Sequence, residues 1–260
     1  MSDLGPSGRA RPAQDWPVSS TFLALIVIWL ACAVWMVFRP DQARLLVFAF
    51  VLIGFVISLC LHEFGHAVVA YACGDRTVRD SGYLTLDPMR YTDVVSSILF
   101  PILVMAIGGI GLPGGAVYVQ AHLLRRRIYG ALVSVAGPLA TAIVLALLMI
   151  ALKVPSVATA PSLYAALAML AMLQLTVLIF NLIPCPGLDG WGVIEPFMPT
   201  PARQLGRKLA PIAPIILLVA LFLVPAVNNL FWSTVDAAGG MIGLDWPAVR
   251  RGFVLFQFWR

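Results

Sequence analysis

His62-Glu63-Phe64-Gly65-His66 lies inside a long apolar run, and this placement decides how the chain is read. From Leu45 to Cys73 the run holds no other ionisable side chain except its cysteines and Tyr71. A helix puts His62 and His66 one turn apart on one face, where both imidazoles can bind one metal ion. Glu63 stands beside that face and can serve as general base toward a water held there. H-E-x-x-H on a helix is the pattern of zinc peptidases. Ionisable groups at membrane depth are costly and point to function. The chain has only three histidines, and this motif takes two of them.

Composition agrees with the membrane setting. The 260 residues are 61% hydrophobic and 11% charged, against about a quarter charged in soluble domains. This predicts an all-α polytopic membrane protein without a large soluble domain. The net charge of +5 comes from basic residues between apolar segments. That distribution suits loops beside anionic lipid and argues against a nucleic-acid partner. Cys32, Cys60, Cys73 and Cys185 are scattered, with no C-x-x-C spacing, and do not read as a disulfide framework. No cleavable signal peptide is evident.

Six apolar segments are legible, at 21–38, 45–73, 94–112, 129–152, 162–183 and 209–232. Each approaches the ~20 residues that cross a hydrocarbon core as a helix. The third contains Pro101 and runs into Gly108, Gly109, Gly111, Gly114 and Gly115. Such a stretch disfavours helix, and irregular backbone at membrane depth must be covered by protein or line a cavity. The expectation is therefore five to six transmembrane helices with a Gly-rich re-entrant element around 94–119. Residues 1–20 read as a polar tail, 21–232 as one membrane-embedded domain, and 233–260 as a C-terminal tail. Trp246, Phe253, Phe256, Phe258 and Trp259 with Arg250 and Arg251 give that tail an interfacial character.

A catalytic zinc needs a third protein ligand and an open position. His122 sits in a basic stretch with Arg125, Arg126 and Arg127 and reads as headgroup-facing. Asp189 is the better candidate, following an apolar helix and a run that holds Pro184, Pro186 and Gly187. By itself that run serves equally as a helix-ending turn with a capping aspartate.

Taken together, the two motifs resemble the site-2 protease family of intramembrane zinc metalloproteases. The matching positions are His62, Glu63 and His66, then Asn181, Pro184, Asp189 and Gly190 of N-x-x-P-x-x-x-x-D-G. The Gly-rich segment 108–115 and the stretch Ala136, Gly137, Pro138, Leu139, Ala140 look alike as well, so the likeness covers 45–195. Thr141 stands where the family often has Asn, and Trp191 where it often has a second Gly. The resemblance is to a minimal form without a PDZ or CBS-type insert. It implies Zn2+ held by His62, His66 and Asp189, with Glu63 as base. The expected substrate is a transmembrane protein helix that unwinds locally, and the Gly-rich strand near 108–119 could pair with it by strand addition. Asn181 is a candidate donor to the substrate or developing oxyanion, and equally a helix-packing residue. Two rival readings are a catalytically idle membrane scaffold and a metal transporter. An intact Glu63 speaks against the first. Uncharged segments 21–38, 129–152 and 162–180 speak against the second.

Topology offers a consistency test. If all six segments cross, the two motifs approach the metal from opposite leaflets. If 94–112 enters without crossing, the helices bearing them run in the same direction. One side then carries Arg9, Arg11, Arg76, Arg79, Arg90, Arg125, Arg126, Arg127, Arg203, Arg207 and Lys208, eleven basic residues against six. With six crossings the split is nine to eight. The positive-inside rule thus favours the re-entrant arrangement in a bacterial cytoplasmic membrane, with the active site toward the cytoplasm.

Overall fold

The computed structural model describes residues 18–38, 43–91 and 117–259. Long apolar stretches become long helices: α1 (Ser20–Phe38), α2 (Ala43–Cys73), α3 (Tyr129–Ala151) and α4 (Pro161–Asn181). Each of these four is long and apolar enough to cross a membrane. After them come α5 (Asp189–Ile194), α6 (Thr200–Leu209), α7 (Ala213–Leu223), α8 (Pro225–Ile242) and α9 (Trp246–Phe256). The described residues contain no strand. The protein is an all-α polytopic membrane protein. Segment 94–112, expected to be re-entrant, and the Gly-rich stretch 108–115 lie outside the described residues.

The helices sort by what they touch. Of α4's apolar window 83% is buried, against 17% for α1, so α4 is the centre of the bundle and α1 its lipid-facing edge. The alanines of α4 allow close neighbours. Gly54 of α2 serves the same end: a Cβ there would come within 2.7 Å of both Leu170 on α4 and Trp29 on α1. Trp29 then stacks on Phe50, with ring centroids 4.7 Å apart.

The apolar segment 209–232, expected as one helix, is divided. Pro225 has no N–H and cannot extend α7, and the residue before a proline is pushed out of helical geometry. Val224 accordingly takes φ −106°, ψ 106°. The Asn228 side chain donates to the freed carbonyl of Leu221 at 3.0 Å. What hydropathy reads as one span is thus α7, of 11 residues, and the start of α8. The α6–α7 pair, bent by 66°, can count as a fifth span. In the C-terminal stretch, α9 packs on α4. Gly252 lies so near the Ala165 carbonyl that no Cβ would fit, and Phe256 is fully buried beside Phe48.

Hydrogen bonds across the bundle define its ends. The Arg125 N–H donates to the Cys73 carbonyl at 3.0 Å, so the chain leaves α2 and reaches α3 at one end. The Ser19 N–H donates to Thr85 O at 2.8 Å, bringing the start of α1 to that same end. His62 meets Thr141 and His66 meets Val133, so α2 and α3 run antiparallel. The short link to α4 then makes α4 parallel to α2. Arg76, Arg79 and Arg90 therefore share one end with Arg125, Arg126 and Arg127, as the charge distribution predicts.

Candidate metal centre

The 31-residue α2 rises about 46 Å, more than the ~30 Å hydrocarbon core. His66 lies seven residues before its end, about 10 Å inward along the axis. Both imidazoles and Glu63 are buried there. His62 Nε2 and His66 Nε2 are 3.1 Å apart. Asp189 brings one oxygen to each, 3.2 Å from His62 Nε2 and 3.3 Å from His66 Nε2. Three ligands at ~2.0–2.1 Å from a tetrahedral zinc stand about 3.3–3.4 Å from one another. The three edges match one face of that tetrahedron.

Each ring is oriented from behind. His66 Nδ1 donates to the Val133 carbonyl at 2.7 Å. A carbonyl only accepts, so the proton is on Nδ1 and the Nε2 lone pair is free for a metal. His62 Nδ1 bonds the Thr141 hydroxyl at 2.9 Å, and a proton on Nδ1, with the hydroxyl accepting, leaves its Nε2 open to a metal in the same way. Both partners come from α3. Pro138 inside α3 gives up the backbone bond to Ser134 and loosens this turn.

Two glycines open the space. A Cβ on Gly137 would lie 2.2 Å from His66 Nε2 and 2.6 Å from His62 Nε2, occupying the ground before both rings. A Cβ on Gly65 would meet the Ala136 carbonyl at 2.7 Å, so this glycine lets α2 and α3 close together. Val133, Gly137 and Thr141 recur every four residues on one face of α3. That spacing, matched to His62 and His66, is the signal by which they could have been found.

Asp189 arrives by a turn. After Asn181 the backbone runs through Pro184 and Pro186 to Gly187 at φ +93°, a left-handed conformation that suits glycine. A Cβ on Gly187 would also meet the Ala210 carbonyl at 2.5 Å. Gly190 passes the Leu182 carbonyl too closely for any side chain.

Glu63 and Asn181 line a cleft of about 1080 Å³ together with the three candidate ligands. Glu63 Oε2 accepts the Val117 backbone N–H at 3.0 Å. Asn181 is 3% exposed, and its Nδ2 has no partner among the described residues. His122 lies in the outer part of the same cleft and is not part of the His62–His66–Asp189 group. Trp191 packs over Gly206 of α6, so its bulk is seated beside the cleft.

These features define a class: a polytopic membrane protein whose buried His-His-Asp group and adjoining carboxylate suit a metal hydrolase. Known proteins bear this out. The chain is 40% identical to "Putative zinc metalloprotease Rip2" of Mycobacterium tuberculosis H37Rv, over 100% of its own length and 98% of the relative's. It is 40% identical to Rip2 of Mycolicibacterium smegmatis, over 93% and 94% respectively. YwhC of Bacillus subtilis, with the same designation, is 30% identical over 72% of this chain and 86% of its own. No protein-family profile and no solved structure matches the chain. The chain belongs to the site-2 protease family, and it is a zinc metalloprotease.

Replacing Thr141 by Val keeps the branched shape and deletes the hydroxyl. The buried His62 Nδ1–H then has no acceptor. Zinc affinity should fall ~10–100-fold, the usual cost of losing a group that orients a metal ligand. Equilibrium competition with a chromogenic chelator measures this, and unchanged affinity in Thr141→Val would show that His62 needs no such support.

Proposed function

We propose that this protein hydrolyses peptide bonds of transmembrane protein substrates at a zinc held by His62, His66 and Asp189, in regulated intramembrane proteolysis. The observation that carries this reading is the convergence of these three side chains, with Glu63 beside them, about 10 Å inside the end of an apolar helix. When bound there, zinc supplies Lewis acidity, polarising the scissile carbonyl and lowering the pKa of a water toward 7. Glu63 takes the proton of the attacking water and returns it to the leaving amine. Asn181 offers its buried Nδ2 as a donor to the substrate carbonyl as charge develops on its oxygen. Val117, Tyr118 and Val119, the described end of the 108–119 stretch, line the cleft, where their backbone is offered to an unwound substrate by strand addition. Glu63 beside the metal group favours an enzyme over an idle scaffold.

The active site is assigned to the cytoplasmic side. Arg127, Arg203 and Arg207 line the mouth of the cleft, and the end of the bundle that carries it is the one richer in basic residues.

The test is co-reconstitution with fusions carrying one hydrophobic span and a reporter on each side. A cleaved fusion should be cut within its span, and a zinc chelator should stop the reaction. Cleavage confined to a reporter domain would place the substrate outside the membrane. For orientation, His122→Cys in a background lacking Cys32, Cys60, Cys73 and Cys185 should react with an impermeant thiol reagent only in permeabilised cells. Labelling in intact cells would reverse the assignment.

A further inference from the structure

We propose that Asp75 is a positioning residue: it holds segment 117–120 along the zinc-site helix and thereby sets the direction of the Glu63 carboxylate. The proposal rests on Glu63 acting as the base.

The geometry starts at the end of α2. Gly74 takes φ +125°. The Asp75 N–H donates to Ala70 O at 3.0 Å and the Gly74 N–H to Tyr71 O at 3.2 Å, the paired bonds of a Schellman motif. This ending turns the chain sharply and delivers Asp75, with no exposed surface, against the 117–125 stretch. Asp75 Oδ1 accepts the Thr77 N–H at 3.0 Å and the Thr77 hydroxyl at 2.5 Å. Oδ2 accepts the Gln120 N–H at 2.7 Å.

All three partners are donors, and they divide between two oxygens. Only a carboxylate can satisfy that arrangement. An asparagine has one acceptor oxygen, and its NH2 would face a donor. The bond to Gln120 is short because the acceptor is charged.

The stretch so held reaches the active site. Three residues before Gln120, the Val117 N–H donates to Glu63 Oε2 at 3.0 Å. That bond commits one carboxylate oxygen to the backbone and leaves Oε1 to face the water. Beyond Gln120, the Arg125 N–H closes on Cys73 O, and a Cβ on Gly74 would lie 2.9 Å from Leu123 O. The segment is thus fastened along the last turns of α2, and Asp75 gives it a buried side-chain hydrogen bond at Gln120.

Two substitutions test this from opposite sides of one bond. Asp75→Asn removes the second acceptor. Gln120→Pro removes the donor, and Gln120 at φ −85° is near the value proline imposes. Full-length protein is assayed for zinc content, for amide hydrogen exchange over 117–119, and for kcat and KM on a single-span fusion that the wild type cleaves. Both variants should keep one zinc. Exchange over 117–119 should rise, and kcat should fall, each about tenfold or more, as expected for losing a hydrogen bond to a charged group. The double variant should be no worse than the worse single one, because both remove the same bond. Unchanged exchange and kcat in Asp75→Asn overturn the proposal. So does a double variant that multiplies the losses, or zinc lost in step with kcat. Where Asp75→Asn fails to fold, wild-type kcat in Gln120→Pro overturns it alone. Full activity in Glu63→Gln would remove the base reading instead, leaving the exchange result standing.

Discussion

Glu63→Gln protein should retain its zinc while cleavage falls by ~10²–10⁴-fold, about 3–5.5 kcal/mol of barrier. Glutamine has the size of glutamate and still offers an oxygen to the Val117 N–H. What it lacks is a group that can accept a proton from the attacking water. The metal site is untouched, because Glu63 is not among the three side chains that converge. Metal analysis and the single-span cleavage assay on the same preparation separate the two properties. Near-normal turnover with zinc in place would mean that another group in the cleft is the base.

Asp189→Ala should cost more zinc than any change behind the histidines. The carboxylate touches both imidazoles, at 3.2 and 3.3 Å, and supplies the negative charge of the site. With Asp189 as the proposed third ligand, its removal leaves two neutral rings for a dication. The loss of affinity should exceed the ~10–100-fold expected of Thr141→Val, and cleavage should vanish with the metal. Stoichiometric zinc in purified Asp189→Ala would transfer the third position to another group, with Glu63 the nearest carboxylate in the cleft.

The parts of this protein that one helix turn can encode were legible in the chain. His62 and His66 are four residues apart, so any helix puts them on one face, and the flanking apolar run dictates both helix and membrane. The direction of α4 relative to α2 was legible too, because charge counts and ligand geometry gave the same arrangement. The break at Val224 was present in the chain as Pro225, but a hydropathy window averages over a single proline.

Other features belong to the tertiary structure alone. Thr141 and Val133 are 79 and 67 residues from the histidines they orient, and neither sits in a motif that names its role. Gly137 matters only because α3 crosses α2 at the metal position. Asp189 was marked by the N-x-x-P-x-x-x-x-D-G match, although its turn alone reads equally as a cap; only packing brings that turn to His62 and His66. Asp75 looks like a loop residue until the end of α2 buries it against Gln120. Local spacing determines which side chains share a helix face. Which face meets which is decided by close packing among α2, α3 and α4, where a single added Cβ at Gly65 or Gly137 has no room.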